Sequence, residues 1–179
     1  GRPIYTLSSV VDDIEYDITH IIRGEDHVTN SAAQIQLFEA LGAVPPILGH
    51  LSLLSGAEGE GLSKRFGSLT LSSLKAKNIT PLAILSLLSR LGSSDPIIPQ
   101  KSIEDILQTF DIKKFGRNTA KFDTKELFQI NQKIIQNLKF IDVKEELLNL
   151  GIQCDENLWN AVRGNIETFN DMQFWKDII

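Results

Sequence analysis

Apolar and polar positions alternate between two regimes along the chain. Ile18 to Arg23 ("ITHIIR") is a short β-branched run, and Ile47 to Leu54 is a second apolar run entered through Pro45 and Pro46. Both predict buried strands. Between them "TNSAAQIQLFEALG" opens on the capping candidates Thr29 and Asn30, places Ile35, Phe38 and Leu41 at helical spacing, and stops at Gly42. Strand, helix and strand together predict a right-handed parallel crossover. In open sheets of this kind ligands collect at the carboxyl ends of the strands, here "RGEDH" and the segment that follows Leu54.

Past residue 70 the pattern turns helical. Thr80 and Pro81 form an N-cap and first-turn pair for a helix presenting Leu82, Leu85, Leu88 and Leu91, closed by Gly92. "SSDPIIPQ" marks a break. Ser102 then caps "SIEDILQTF", Asp123 caps a helix running through Leu138, and Asp142 caps "VKEELLNL", which stops at Gly151. The remainder, through Trp159 and Trp175, also reads as helix. The expected fold class is therefore α/β followed by all-α, dividing near residue 70.

Composition narrows the function classes. A chain of 179 residues can bury a real core, and a formal charge of −5 excludes an all-over basic coat, so any anionic partner must meet a local patch. Cys154 is the only cysteine, which excludes an internal disulfide and a thiolate zinc cluster and favours a reducing compartment. No stretch reads as a membrane span or secretory signal. Gly1 opens the chain and Met172 is its sole methionine, which suggests a fragment.

The segment "GLSKRFG" concentrates the candidate chemistry. Gly56 and Gly61 have Walker-loop spacing, but Leu62 stands where a lysine is required, so the P-loop reading fails. What remains is a glycine-rich lead followed by Ser63, Lys64 and Arg65, able to bring two cations over a polyphosphate at a strand end. A solvated surface turn is the plain alternative. Asp12 and Asp13 lack further ligands, and His20, His27 and His50 lack ligand spacing, so no metal site is expected. "KKFGRNTAK" gathers Lys113, Lys114, Arg117 and Lys121 about Phe115, suited either to an RNA backbone or to a solvated linker.

Taken in order, several stretches resemble the glutamyl-tRNA synthetase family of class I aminoacyl-tRNA synthetases. "PIYTLSSVVDDIEYDITHIIRGEDHVTNSAAQIQLFEALG" is similar to its signature block, "HLSLL" to its adenine-side strand and "LSKR" to its KMSKS loop. "ITPLAILSLLSRLGSS" and "FDIKKFGRNTAKFDTKEL" are similar to the segments that follow. The resemblance implies the second half of a Rossmann-type catalytic domain over residues 1–70, a helical stem-contact region over 71–130 and the start of an anticodon-binding domain over 131–179. It implies Lys64 and Arg65 as catalytic residues, with Ser63, Lys64, Leu54, Asp26 and His27 about ATP. Tyr5, Arg23 and Ser9 would line the glutamate pocket, and Lys113, Lys114, Arg117 and Lys121 would meet tRNA. The implied reaction joins glutamate to tRNA through a glutamyl-adenylate, using ATP and Mg2+, in a cytoplasmic monomer.

The chain also departs from the family pattern. Gly61 replaces the loop's leading lysine, Phe66 stands where many relatives have histidine, and Ser9 is short for a pocket residue. The family's HIGH motif precedes anything present, so the fragment alone is expected to be inactive. Two rival readings remain: a truncated relative that glutamylates a modified tRNA base, and a noncatalytic RNA-binding scaffold. The helices after residue 125 count against the first, and Gly61 supports the second.

Overall fold

A computed structural model of the chain describes residues 4–57, 59 and 70–176, and its backbone divides into two compact units. One comprises Gly1–Leu53 with Phe115–Ala120; the other comprises Leu54–Lys114 with Lys121–Ile179.

The first unit runs α1 (Tyr5–Glu15), β1 (His20–Gly24), a 3-10 turn (Glu25–His27), α2 (Val28–Ala40) and β2 (Ile47–Leu51). Strands β1 and β2 pair in parallel, with Arg23 opposite His50 and Gly24 opposite Leu51, as the strand, helix and strand pattern predicts. The two runs are not buried on both faces, however. Ile22 is 52% exposed and Ile47 65% exposed, while Arg23 and His50 project from the face that α2 covers. A parallel strand reads as uniformly apolar when it has two covered faces, and this unit covers only one.

Helix α1 is not signalled by the pattern, because its valines and serines favour strand or turn as readily as helix. Its register is set by packing, with Val10 fully buried and α1 lying against α2. Asp17 ends it in the left-handed region at φ 52°, a conformation that aspartate tolerates better than most residues. Helix α2 begins one residue before the predicted caps: His27 is the N-cap, with no side-chain capping bond, and Thr29 and Asn30 lie in the first turn. Gly42, at φ 76°, stops it as expected.

The second unit contains a short strand β3 (Leu54–Gly56) and, from Lys121 on, the strand paired with it, β4 (Ala120–Phe122). Its helices are α3 (Leu71–Ala76), α4 (Pro81–Leu88), α5 (Ile103–Thr109), α6 (Thr124–Asn137), α7 (Phe140–Asn149), α8 (Glu156–Val162) and α9 (Asp171–Lys176). The hydroxyl of Thr80 caps α4, that of Ser102 caps α5, and the Asp123 carboxylate caps α6, each accepting a first-turn N–H. Asp142 is not the N-cap of α7. It sits inside the first turn, and its carboxylate reaches back to accept the Lys139 N–H at 3.1 Å.

Helix α4 turns a different face inward from the leucine stripe. Ala83, Ser86 and Leu87 are buried, whereas Leu85 and Leu88 are about two-fifths exposed at 41% and 39%. Its sequence is apolar at most positions, so the partner helix α6, not periodicity, selects the face. Farther along, Ile135, Val143, Leu147, Ile152, Trp159, Val162, Ile166, Phe169 and Met172 form one continuous core. Trp159 anchors it, and its indole N–H donates to the Leu138 carbonyl at 3.0 Å, so the buried polar atom is satisfied. Among the described residues, no helix is long and apolar enough to cross a membrane.

Candidate active site

The carboxyl end of β1 delivers Arg23, and the 3-10 turn that follows delivers Glu25, Asp26 and His27. The Arg23 guanidinium donates through Nη2 to the Ser31 hydroxyl on α2. That hydroxyl also lies 3.1 Å from the His27 carbonyl and 2.7 Å from Nε2 of His50 on β2. Arg23 Nε is buried and has no hydrogen-bond partner among the described residues. A buried, unpaired guanidinium N–H costs free energy unless an oxygen meets it. Neither acidic neighbour supplies that oxygen. Glu25 Oε1 accepts the Leu53 N–H at 3.4 Å, and Asp26 Oδ2 stands 4.0 Å from His27 Nε2.

The backbone at Gly24 lets this turn close tightly. A Cβ there would run into the Asp26 carboxylate and come within 3.1 Å of a Leu53 methyl. His27 is partly exposed, its ring centroid 6.4 Å from that of Tyr5, and its Nδ1 is buried without a hydrogen-bond partner among the described residues. Tyr5 is 59% exposed and stands at the start of α1, on the same side as His27. Thus Tyr5, Arg23, Asp26 and His27 belong to one unit, with Tyr5 near His27 and Arg23 reached through Ser31.

Ser9 lies on α1 and faces α2. Its hydroxyl donates to the Thr6 carbonyl at 3.3 Å and accepts from Gln34 Nε2 at 2.8 Å, joining α1 to α2. Leu54 opens β3 in the second unit. Ser63, Lys64 and Arg65 lie outside the described residues, as do Gly61 and Phe66. The site has one titration feature of note. The Asp13 carboxyl is pushed above its ordinary range by burial and by neighbouring Asp12, against the pull of Arg23.

The basic stretch divides between the units: Lys113, Lys114 and Lys121 fall in the second and Arg117 in the first. All four are exposed. Lys114 is already engaged, its ammonium 3.0 and 3.1 Å from the two carboxylate oxygens of Asp95. Ser31, His50 and Gln34 were not singled out for this site by sequence. Each is a common residue type on a helix or strand, and only the fold brings it to Arg23 or Ser9.

The curated proteins that match include glutamate–tRNA ligase 1 of Maricaulis maris, 48% identical over 100% of this chain and 40% of its own length. Glutamate–tRNA ligase 2 of Cereibacter sphaeroides (strain ATCC 17029) is 44% identical over 98% of this chain and 40% of its own length. The chain therefore spans about two-fifths of these relatives. A solved glutamate-tRNA synthetase from Elizabethkingia anophelis, 25% identical, matches 96% of this chain and 40% of that one with a TM-score of 0.76. A glutamate tRNA ligase from Elizabethkingia meningosepticum, 24% identical, shares the fold at a TM-score of 0.78, over 98% of this chain and 40% of its own. Residues 1–136 match the family described as tRNA synthetases class I (E and Q), catalytic domain. With that match covering most of its length, the chain belongs to the class I tRNA synthetase family for glutamate and glutamine.

Proposed function

We propose that the chain carries part of the catalytic domain of an enzyme that joins glutamate to tRNA through a glutamyl-adenylate. The observation that carries this reading is the Arg23 guanidinium, held by Ser31 with its Nε unpaired, in a chain whose relatives are named glutamate–tRNA ligases. A guanidinium offers two parallel N–H bonds to a carboxylate, whereas a glutamine amide would present its own donors to the same fork. Arg23 thereby selects the glutamate side chain, with Tyr5 covering the pocket.

In the activation step the α-carboxylate of glutamate attacks the α-phosphorus of ATP. The bond to the bridging oxygen breaks, and pyrophosphate leaves with the electron pair. Negative charge grows on groups that are already anionic, so cations positioned for that moment lower the barrier. Lys64, assisted by Arg65 and Ser63, has this role, while Asp26 and His27 face the nucleotide and the main chain near Leu54 meets the adenine. Magnesium bound with ATP supplies further charge neutralisation when present. A tRNA terminal hydroxyl then attacks the activated carbonyl and AMP departs. Lys113, Arg117 and Lys121 are the cations available to the RNA backbone, since Lys114 is paired with Asp95. The setting is cytoplasmic.

The test uses a full-length enzyme containing this sequence and reads glutamate-dependent ATP–pyrophosphate exchange with tRNA present. Lys64→Ala should lower kcat about 100-fold or more, as expected for removing a charge-stabilising group. Arg23→Lys should raise the KM for glutamate at least about tenfold, through loss of the bidentate geometry. Unchanged exchange and unchanged tRNA charging with Lys64→Ala would instead favour the scaffold reading, for which Gly61 in place of a loop lysine is the motivating feature.

A further inference from the structure

We infer that Ser31 and His50 are positioning residues for Arg23, acting as one chain that fixes the guanidinium in its carboxylate-accepting pose. The inference rests on the reading of Arg23 as the glutamate-side-chain ligand and extends it to two residues on other elements.

Arg23 and His50 are partners across the parallel strands β1 and β2, so their side chains leave the same face of the sheet. Helix α2 crosses that face and places Ser31 between them, with its residue only 4% exposed. Three groups converge on one hydroxyl: Arg23 Nη2, the His27 carbonyl and His50 Nε2. Arg23 is necessarily a donor, so it occupies one lone pair of the oxygen. The single hydroxyl proton then goes to the His27 carbonyl or to His50. If it goes to the carbonyl, a protonated His50 Nε2 fills the second lone pair. If it goes to the imidazole, the chain Arg23 to Ser31 to His50 runs in one direction and each bond polarises the next. The first arrangement uses the proton and both lone pairs of the hydroxyl, the second its proton and one lone pair, and both hold the oxygen toward Arg23.

The consequence is selective. One end of the guanidinium is tied to Ser31, which restricts the poses the rest of the group can take toward a carboxylate. A long arginine side chain otherwise loses rotamer freedom when it binds, and a preformed tether removes that cost before substrate arrives. Ser31 and His50 touch no reacting atom in this scheme, so their loss should weaken glutamate binding without slowing the chemical step.

The experiment measures glutamate KM and kcat by ATP–pyrophosphate exchange, with tRNA present, in a full-length enzyme carrying this sequence. Ser31→Ala should raise KM about tenfold while kcat stays within about twofold. Ser31→Thr, which restores the hydroxyl, should return KM to within about twofold of the parent. His50→Ala should raise KM by a smaller factor, and the double variant should be no worse than Ser31→Ala because both act through one chain. A crystal structure of the Ser31→Ala enzyme should show the guanidinium displaced. If Ser31→Ala does not fold, His50→Ala and Ser31→Thr are read in its place.

Parental KM in the Ser31→Ala or His50→Ala enzyme, multiplicative losses in the double variant, or an undisplaced guanidinium would each overturn the inference. Arg23→Lys separates the two claims. If it raises KM while Ser31→Ala does not, the positioning role alone fails. If it leaves KM unchanged, the ligand role of Arg23 fails, and the crystal structure still decides whether Ser31 orients the side chain.

Discussion

Asn131 and Thr80 lie 51 residues apart, yet the amide oxygen of Asn131 accepts from both the backbone N–H and the hydroxyl of Thr80, at 2.8 and 2.9 Å. The same side chain donates through Nδ2 to the Glu167 carbonyl at 2.8 Å and is fully buried. One amide thereby joins the N-cap of α4, the middle of α6 and the loop before α9. Replacing it with Ala takes this partner from two donors of half-buried Thr80 and from the Glu167 carbonyl. Asn131→Ala should cost about 3 kcal/mol, since each buried group left without a partner costs about 1–3 kcal/mol and partial hydration recovers some of it. Equilibrium denaturation with urea measures this, and a loss below about 1 kcal/mol would show that the groups find other partners.

Arg90 and Lys114 share one counter-ion but should differ in worth. The Arg90 side chain is 8% exposed, and it reaches Asp95 together with the carbonyl and hydroxyl of Thr109. Lys114 meets the same Asp95 from a position 42% exposed. Burial removes water as a substitute partner, so Arg90→Met should destabilise by about 2–3 kcal/mol, the lower end for a broken buried pair because Asp95 keeps Lys114. Lys114→Met should cost less than about 1 kcal/mol, as solvent screens an exposed pair. Equal losses for the two variants would refute this ranking.

Asp13 predicts a pH dependence of definite sign. Burial and Asp12 raise its folded-state pKa above the ordinary aspartate value of 3.8, with Arg23 opposing. The folded protein therefore binds this proton more tightly than the unfolded chain does. Its contribution to stability is present at low pH and is lost as pH rises from the ordinary value through the raised one. Asp13→Asn, which mimics the protonated form, should be more stable than the parent at pH 7, and the advantage should disappear below pH 3.8. Thermal melts across that range provide the check; a variant less stable at neutral pH would mean that the attraction to Arg23 outweighs burial.

Gly24 separates site geometry from stability. Its φ of −67° and ψ of 151° suit any residue, so Ala there incurs no backbone strain. The added Cβ would meet the Asp26 carboxylate, which is 56% exposed and free to swing, and a Leu53 methyl at 3.1 Å. Gly24→Ala should therefore cost less than about 1.5 kcal/mol of stability. In a full-length enzyme the same change should raise the KM for ATP about threefold or more if Asp26 faces the nucleotide as proposed. Parental KM with a displaced Asp26 would remove that residue from the nucleotide site.

The start and stop signals of the elements were legible because they are local. Thr80, Ser102 and Asp123 cap the helices they precede, and Gly42 and Gly151 end theirs with positive φ, whereas α4 stops at Leu88, short of the expected Gly92. A side-chain oxygen two or three residues from an unpaired N–H satisfies it whatever the rest of the molecule does. Local chemistry was ambiguous where two patterns compete. Thr29 and Asn30 could cap α2 but lie inside it, and Asp142 could cap α7 but serves as its third residue. Helix α1 carries residues with no strong preference, so packing of Val10 decides it.

Arg23 was named through the family resemblance of the stretch around it, and the fold places it near the carboxyl end of β1. Ser31 and His50 could not be read from the sequence, since they meet it only after α2 has crossed the paired strands. The amino-acid order by itself determined where α4, α5 and α6 begin, where α2 and α7 end and which cation stands near the end of β1, for these depend on neighbours within a few residues. Only the tertiary structure decided which face of α4 is inside, which side of the strands is covered and which hydroxyl holds Arg23. Those outcomes depend on atoms brought together from distant parts of the chain, where the geometry of packing selects among faces that local composition leaves nearly equivalent.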